Sequence, residues 1–352
     1  MKVYFYHTQD IQHILGRMAH GEFPPHYLYG ASHLPELGID VVWHQSRMGL
    51  PRWRMMLRNT WRILTCREHI DAVYATHYRG IEPIILLRAL GLYRKPVVVW
   101  HHQPVVRSPK RWREWLGRVF YRGFDKMFFF SQPLVDQSLA TGKITPQQAV
   151  LGHWGADLEF YDRVLAKAGN ERHGFISTGK ELRDMPTLVN AFNATGAPLD
   201  IYLAHHAGEM RYADVFGDLQ LQPNVRLNYV DRLVPYELSL IVGRAECVVI
   251  CCQRSKYTVG LTTLVEALAM GLPVITTRNV TFPFDVDAEG CGISVDYYDT
   301  EGWKRAIAYI ASHPDEAREM GRRGRLLAEK TFNDVRCARE AKEAIYNALN
   351  IK

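Results

Sequence analysis

Residues Thr258 to Thr277 read TVGLTTLVEALAMGLPVITT, and their types suit the binding of an anion and a polyol. Gly260 stands where a helix would begin, so a negatively charged group could meet unpaired backbone N–H donors and the positive end of the helix dipole. Leu261 and Thr262 would supply those N–H groups, and Glu266 follows on the same helix, where a carboxylate could accept hydrogen bonds from sugar hydroxyls. A second group lies in STGKELRDMPTLVNAF: Gly179 allows close backbone approach, and Lys180 and Arg183 stand in a loop where a diphosphate would sit. A third is histidine-rich. VVVWHHQPV ends an apolar run with His101 and His102, ATHYRG contains His77, and the stretch after the first strand holds His7, Asp10, His13 and His20. A cleft imidazole donates to substrate or moves a proton near neutral pH, and alternation along the strand turns one of His101 and His102 inward; we take His101 as the catalytic candidate and His77 as the second choice.

The elements that must hold these groups follow from periodicity. Val3 to Tyr6, Ile39 to Trp43, Ala72 to Ala75, Pro96 to Trp100 and Lys126 to Phe130 are predicted strands. Helical patterns near His26 to Leu37, Trp53 to Cys66, Glu82 to Leu90, Arg111 to Arg122 and Pro133 to Thr141 alternate with them, which means βα units and a mostly parallel sheet. A second alternation runs through Gly174 to Thr178, Leu199 to Ala204, Val225 to Tyr229, Cys247 to Cys251 and Val274 to Thr276. The expected fold class is therefore α/β, with two Rossmann-like domains facing each other across a cleft.

EALAMGLPVITT resembles the EAMA.GxPVI block of nucleotide-sugar-dependent glycosyltransferases with the two-domain GT-B fold, in particular the retaining glycosyltransferase family 4 (group 1). HWGADLEFY is similar to the element that ends the first domain there, NYVDRLVPYEL to its GxVxxxEL element, and HPDEAREMGRRGRLLAEKTF to its closing pattern. The resemblance implies residues 1–165 as an acceptor-binding domain, 171–332 as the nucleotide-sugar domain, and a C-terminal helix, 333–352, crossing back to the first. It further implies that Glu266 binds the donor ribose, that the turn before it holds the diphosphate, and that backbone at Asp231 and Leu233 contacts the base. Lys180 and Arg183 would correspond to a basic pair that neutralises the leaving nucleoside diphosphate in place of a metal, so no metal and no cofactor is expected. One departure stands out: the family has a further glutamate eight positions upstream of Glu266, where this chain has Thr258. His7, Asp10, His20 and His77 would lie on the acceptor side.

The implied activity moves a sugar from a UDP- or GDP-sugar to a hydroxyl of a glycan or lipid-linked acceptor, with retention. An inverting transferase using Asp10 or His20 as base, and an inactive nucleotide-sugar-binding protein of the same fold, are the alternatives. The absence of a GxGxxG after the opening strand argues against a Rossmann dehydrogenase.

Charge is uneven. Residues 1–160 carry 20 Lys and Arg against 12 Asp and Glu, while the whole chain is at +6. Two basic aromatic helices account for much of this. In one, Trp53, Leu57, Trp61 and Leu64 form a stripe beside Arg54, Arg58 and Arg62; the other places Trp112 and Trp115 among Arg111, Arg118 and Arg122. Such helices suit an anionic membrane surface, and the alternative is that their apolar faces pack on the first sheet. No nucleic-acid-binding module is recognisable. The cysteines show no zinc spacing, no apolar run reaches the ~20 residues that span a bilayer, and the opening strand lacks a signal pattern, so the expected residence is cytoplasmic, at the inner face of the membrane if those helices dock there.

Overall fold

The central strands of this protein are short apolar runs buried on both faces, and with less buried edge strands they assemble into two six-stranded parallel sheets. The computed structural model describes residues 1–169, 171–179, 181–207, 210–230 and 233–351. They form two compact units, one of Met1–His20, Pro25–Trp154 and Asp334–Lys352, the other of Gly21–Pro24 and Gly155–Asn333.

The first unit runs β1 (Lys2–Tyr6), α1 (Ile11–Ala19), β2 (Asp40–Trp43), α2 (Arg52–Leu64), β3 (Ala72–Ala75), α3 (Glu82–Ala89), β4 (Val97–Trp100), α4 (Arg111–Tyr121), β5 (Lys126–Phe129), α5 (Gln132–Leu139) and β6 (Ala149–Leu151). Its strand order is β2-β1-β3-β4-β5-β6. The connections from β2 through β5 all step in one direction, and right-handed crossover then puts α2, α3 and α4 on one face as a layer. Accordingly α2 packs on α3 and α3 on α4.

The stretch after β1 forms helix α1, which Asp10 caps by accepting from the N–H groups of Gln12 and His13, and Ile11 and Ile14 bury its inner side. One expectation changes here. The helix expected over 26–37 is instead three 3-10 turns, Pro25–Leu28, Ala31–His33 and Pro35–Leu37, because Gly30 in a left-handed turn (φ 76°) and Pro35 interrupt it.

The second unit runs α6 (Leu158–Ala168), β7 (Phe175–Thr178), α7 (Met185–Thr195), β8 (Leu199–Leu203), the small hairpin β9 (His206–Ala207) and β10 (Met210–Arg211), α8 (Tyr212–Gly217), β11 (Val225–Tyr229), α9 (Pro235–Val242), β12 (Cys247–Ile250), α10 (Leu261–Ala269), β13 (Val274–Thr277), β14 (Gly292–Val295), α11 (Thr300–Ser312) and α12 (Pro314–Lys330). Its strand order is β11-β8-β7-β12-β13-β14, and Trp303, Phe192 and Leu188 are among the residues filling its core. Helix α6 packs against α9 and α10, so residues 155–168 fold with this unit although the sequence reading carried the first domain to 165. The last helix, α13 (Asp334–Leu349), packs across β3, β4 and β5 of the first unit. All six cysteines are free and all but Cys66 are buried. Among the described residues no helix is long and apolar enough to cross a membrane.

Candidate functional site

In the second sheet the strand order reverses between β7 and β12, so the chain leaves their carboxyl ends in opposite directions and a crevice is left there. The two loops bounding it are laced together. The Asp184 N–H donates to the Cys251 carbonyl (3.0 Å), and the Gln253 N–H donates to the Leu182 carbonyl (2.8 Å). Leu182 adopts a left-handed conformation (φ 47°), which a branched side chain takes only where surrounding bonds impose it.

Arg183 is buried at this point, with 4% of its surface exposed. Its Nε donates to the Thr178 carbonyl (3.0 Å), Nη1 to the Glu181 carbonyl (3.1 Å) and to Cys252 Sγ (3.3 Å), and Nη2 to Thr263 Oγ1 (3.3 Å). None of these acceptors carries a charge: burial pushes the Cys252 thiol pKa up, outweighing the neighbouring guanidinium. A guanidinium buried among neutral acceptors sits in a poorly polarisable setting, and an arriving anion relieves that cost. Gly179 makes the arrangement possible, since its backbone is left-handed (φ 95°) and a Cβ there would collide with Arg183 Nη2.

The N-terminus of α10 completes the cradle. Gly260 is left-handed (φ 93°), and a Cβ on it would lie 2.6 Å from Ile250 Cγ2, so only glycine fits. The Leu261 N–H bonds back to Thr258 O (3.1 Å), and the helical ladder begins with the Leu264 N–H on Gly260 O (3.0 Å). The N–H groups of Thr262 and Thr263 precede that first bond and therefore have no intrahelical acceptor. Through Thr263 the positive end of α10 is joined to the Arg183 guanidinium, which is the donor set a phosphate requires. Thr258 and Glu266 are half-buried, Glu266 on the same helix. Leu233 follows β11 with its N–H on Val230 O (2.9 Å). Lys180 and Asp231 lie outside the described residues. Cys252 and Thr263 were not singled out by sequence; they meet Arg183 across 69 and 80 residues, and the paired threonines after Gly260 are the one trace of it.

The first unit gathers imidazoles at the carboxyl ends of β1, β3 and β4. His77 and His102 have ring centroids 5.2 Å apart, and Tyr29 lies 6.2 Å from His7 and 5.9 Å from His102. His7 is buried, and burial, then the neighbouring His102, lowers its pKa to about 4; the same causes lower His77 to about 3. His101 is a correction to the expected inward turn. It points into the helix layer, 3% exposed, with Nδ1 against Gln103 O (2.5 Å), Nε2 3.4 Å from the Tyr121 hydroxyl on α4, and Tyr78 stacked on the ring. Burial lowers its pKa to about 4, so it is neutral and enclosed at neutral pH, while its neighbour His102 reaches the Thr76 carbonyl (2.8 Å) beside His77. Asp10 is the cap of α1, and His20 Nδ1 bonds Gly16 O (2.8 Å) at the other end of that helix.

Two parallel doubly wound sheets, with an anion cradle at the switch point of the second, are the GT-B fold, and a stretch of the second unit matches a family of glycosyltransferases. Residues 218–327 match the model of the family Glycosyl transferases group 1, a span that takes in Gly260 and Glu266. No curated protein sequence matches the chain. Among solved structures, sucrose-phosphate synthase from Thermosynechococcus elongatus aligns with a TM-score of 0.72 at 15% identity, over 97% of this chain and 98% of that one. A glycosyltransferase from Rickettsia africae ESF-5 aligns at 0.70 with 14% identity, covering 100% and 99%. Anabaena HepE in complex with UDP aligns at 0.67 with 12% identity, covering 98% and 99%.

Proposed function

We propose that the chain transfers a sugar from a nucleotide diphosphate donor, a UDP-sugar in the first instance and a GDP-sugar otherwise, to a hydroxyl of a glycan or lipid-linked acceptor. The observation that carries this reading is the Arg183 guanidinium, buried among neutral acceptors and coupled through Thr263 to the N-terminus of α10. The glycosidic C–O bond to the diphosphate breaks and its electron pair goes to the departing phosphate oxygen. Arg183, Lys180 and the N–H groups of Thr262 and Thr263 stabilise that charge, as a metal ion would in other sites. The bond from the acceptor oxygen to the anomeric carbon forms on the same face, and the acceptor proton passes to the leaving phosphate, so retention requires no side-chain nucleophile. Asp10 and His20, the bases an inverting route would draw on, are tied into the two ends of α1, which favours retention. Glu266 holds the ribose, and the imidazoles of His7, His77 and His102 serve the acceptor.

A thermal-shift panel of nucleotide sugars tests this, because a ligand at a hundredfold over its Kd adds ~2.7 kcal/mol to stability. Selective stabilisation by one nucleotide sugar, and transfer that persists in EDTA, are expected. No stabilisation by any of them would overturn the reading, and activity lost to EDTA and restored by Mg²⁺ would overturn the metal-free route.

A further inference from the structure

We propose that the outer face of the α2–α3–α4 layer docks on an anionic lipid bilayer. The inference goes beyond the donor reading, since every residue it uses lies in the first unit and none in the anion cradle.

The tryptophan stripe of α2 faces away from the sheet. The residues that α2 buries are Asn59 and Ile63, and Asn59 sets the helix's rotation by donating to the Tyr6 hydroxyl (3.2 Å) and the Gly80 carbonyl (3.2 Å). At ~100° per residue these two lie across the helix from Trp53, Leu57, Trp61 and Leu64, which are 59%, 61%, 68% and 50% exposed. Helix α4 buries no residue at all, and its Trp112 and Trp115 are 59% and 63% exposed. Between them, Leu86 of α3 and Leu90, which follows its last turn, are exposed to solvent. An indole has about 150–250 Å² to bury, so the four exposed ones alone contribute roughly 400–600 Å². That matches the largest apolar patch of an ordinary monomer before any leucine is counted.

The charge around this patch is of one sign. Residues 47–67 contain six arginines and no acid, and residues 107–122 contain six cations and one acid, Glu114. The acids of the layer are engaged within it. Glu114 pairs with Lys143 (2.8 Å), Glu82 with Arg52 (2.8 Å), and Asp125 takes both arms of Arg88 (2.6 and 3.0 Å). Arg54, Arg62 and Arg113 remain exposed, Arg54 and Arg113 each lying over the tryptophan beside it, 5.0 and 5.2 Å from the ring centroid.

Charge complementarity selects the occupant. A second copy of this face would set arginines against arginines, and a nucleic-acid surface would leave the leucines between the indoles with nothing apolar to bury against. An anionic bilayer satisfies both, with indoles and leucines at the headgroup boundary and guanidinium groups at lipid phosphates.

The test is flotation of the full chain with phosphatidylglycerol–phosphatidylcholine vesicles. Binding to these and not to pure phosphatidylcholine, release by high salt, and a blue shift of tryptophan emission are expected. At about fivefold per arginine, Arg54→Gln with Arg62→Gln and Arg113→Gln should lower the partition coefficient on the order of a hundredfold. Trp61→Ser with Trp115→Ser should shrink the emission shift to what Trp53 and Trp112 still report. All five positions are exposed, so both variants should keep the wild-type thermal midpoint and nucleotide-induced shift, which separates loss of docking from loss of the donor site. Failure of the wild type to float, equal flotation of the arginine variant, equal binding to uncharged vesicles, a dimer that the tryptophan changes dissolve, or tighter retention on duplex DNA than on vesicles at equal salt would each overturn the proposal.

Discussion

Replacing Arg183 by methionine keeps most of the side chain's length and removes its charge, which isolates what the guanidinium does. In the ligand-free protein two effects oppose one another. Thr178 O, Glu181 O and Thr263 Oγ1 lose a donor, each at a cost of about 1–3 kcal/mol where no water replaces it, while the burden of a buried cation among neutral groups disappears. With a nucleotide bound only the loss remains. A charge-assisted hydrogen bond to a phosphate is worth about 1.5–3 kcal/mol, so the Kd for UDP should rise roughly 10- to 150-fold. The stabilisation conferred by a fixed, saturating concentration of UDP should shrink by the logarithm of that ratio, about 1.5–3 kcal/mol. Calorimetric titration with UDP, alongside thermal unfolding with and without it, reads both quantities, and inorganic pyrophosphate should protect the wild type but not the variant. If Arg183→Met binds UDP within about threefold of the wild type while its ligand-free midpoint falls, the guanidinium only laces the loop, and the charge argument is refuted.

Two further outcomes follow from the same geometry. Glu266→Ala should weaken nucleotide affinity about tenfold without unfolding the protein, as expected for one or two sugar hydrogen bonds lost from a half-buried position; an unchanged dissociation constant would remove the ribose role. Stability should also depend on pH through His7 and His101, whose pKa values burial lowers from 6.5 to about 4 in the folded chain. The unfolded chain takes up a proton near pH 6.5 that the folded one refuses until near pH 4, so this contribution is complete above pH 6.5 and is lost as pH falls towards 4. The loss is about 1.4 kcal/mol per pH unit for each histidine. A midpoint that stays level between about pH 7 and about pH 5 would show that neither ring is held neutral.

Legibility varied with how local the physics was. Strand β12, helix α10 and strand β13 were readable because both strands are buried on two faces and appear as unbroken apolar runs, and because Gly260 and Gly271 mark the helix ends. Helix α1 was missed although Ile11, Ile14, Leu15 and Met18 recur at helical spacing behind the Asp10 cap, because its nine residues are also crowded with polar and histidine side chains. Strand alternation left open which of His101 and His102 meets the helix layer, since β4 is covered on both sides.

Sequence alone determined the α/β alternation, the glycines that admit a left-handed backbone beside an anion, and the surplus of positive charge in the first half, because each is a property of neighbouring residues. Tertiary structure decided the rest. Arg183 came to lie buried among neutral acceptors only when β7 and β12, far apart along the chain, were paired at the point where the sheet reverses. The tryptophans of α2 came to face solvent because Asn59, a polar side chain that must be satisfied once buried, found Tyr6 and Gly80 and so fixed which side of the helix the sheet would cover.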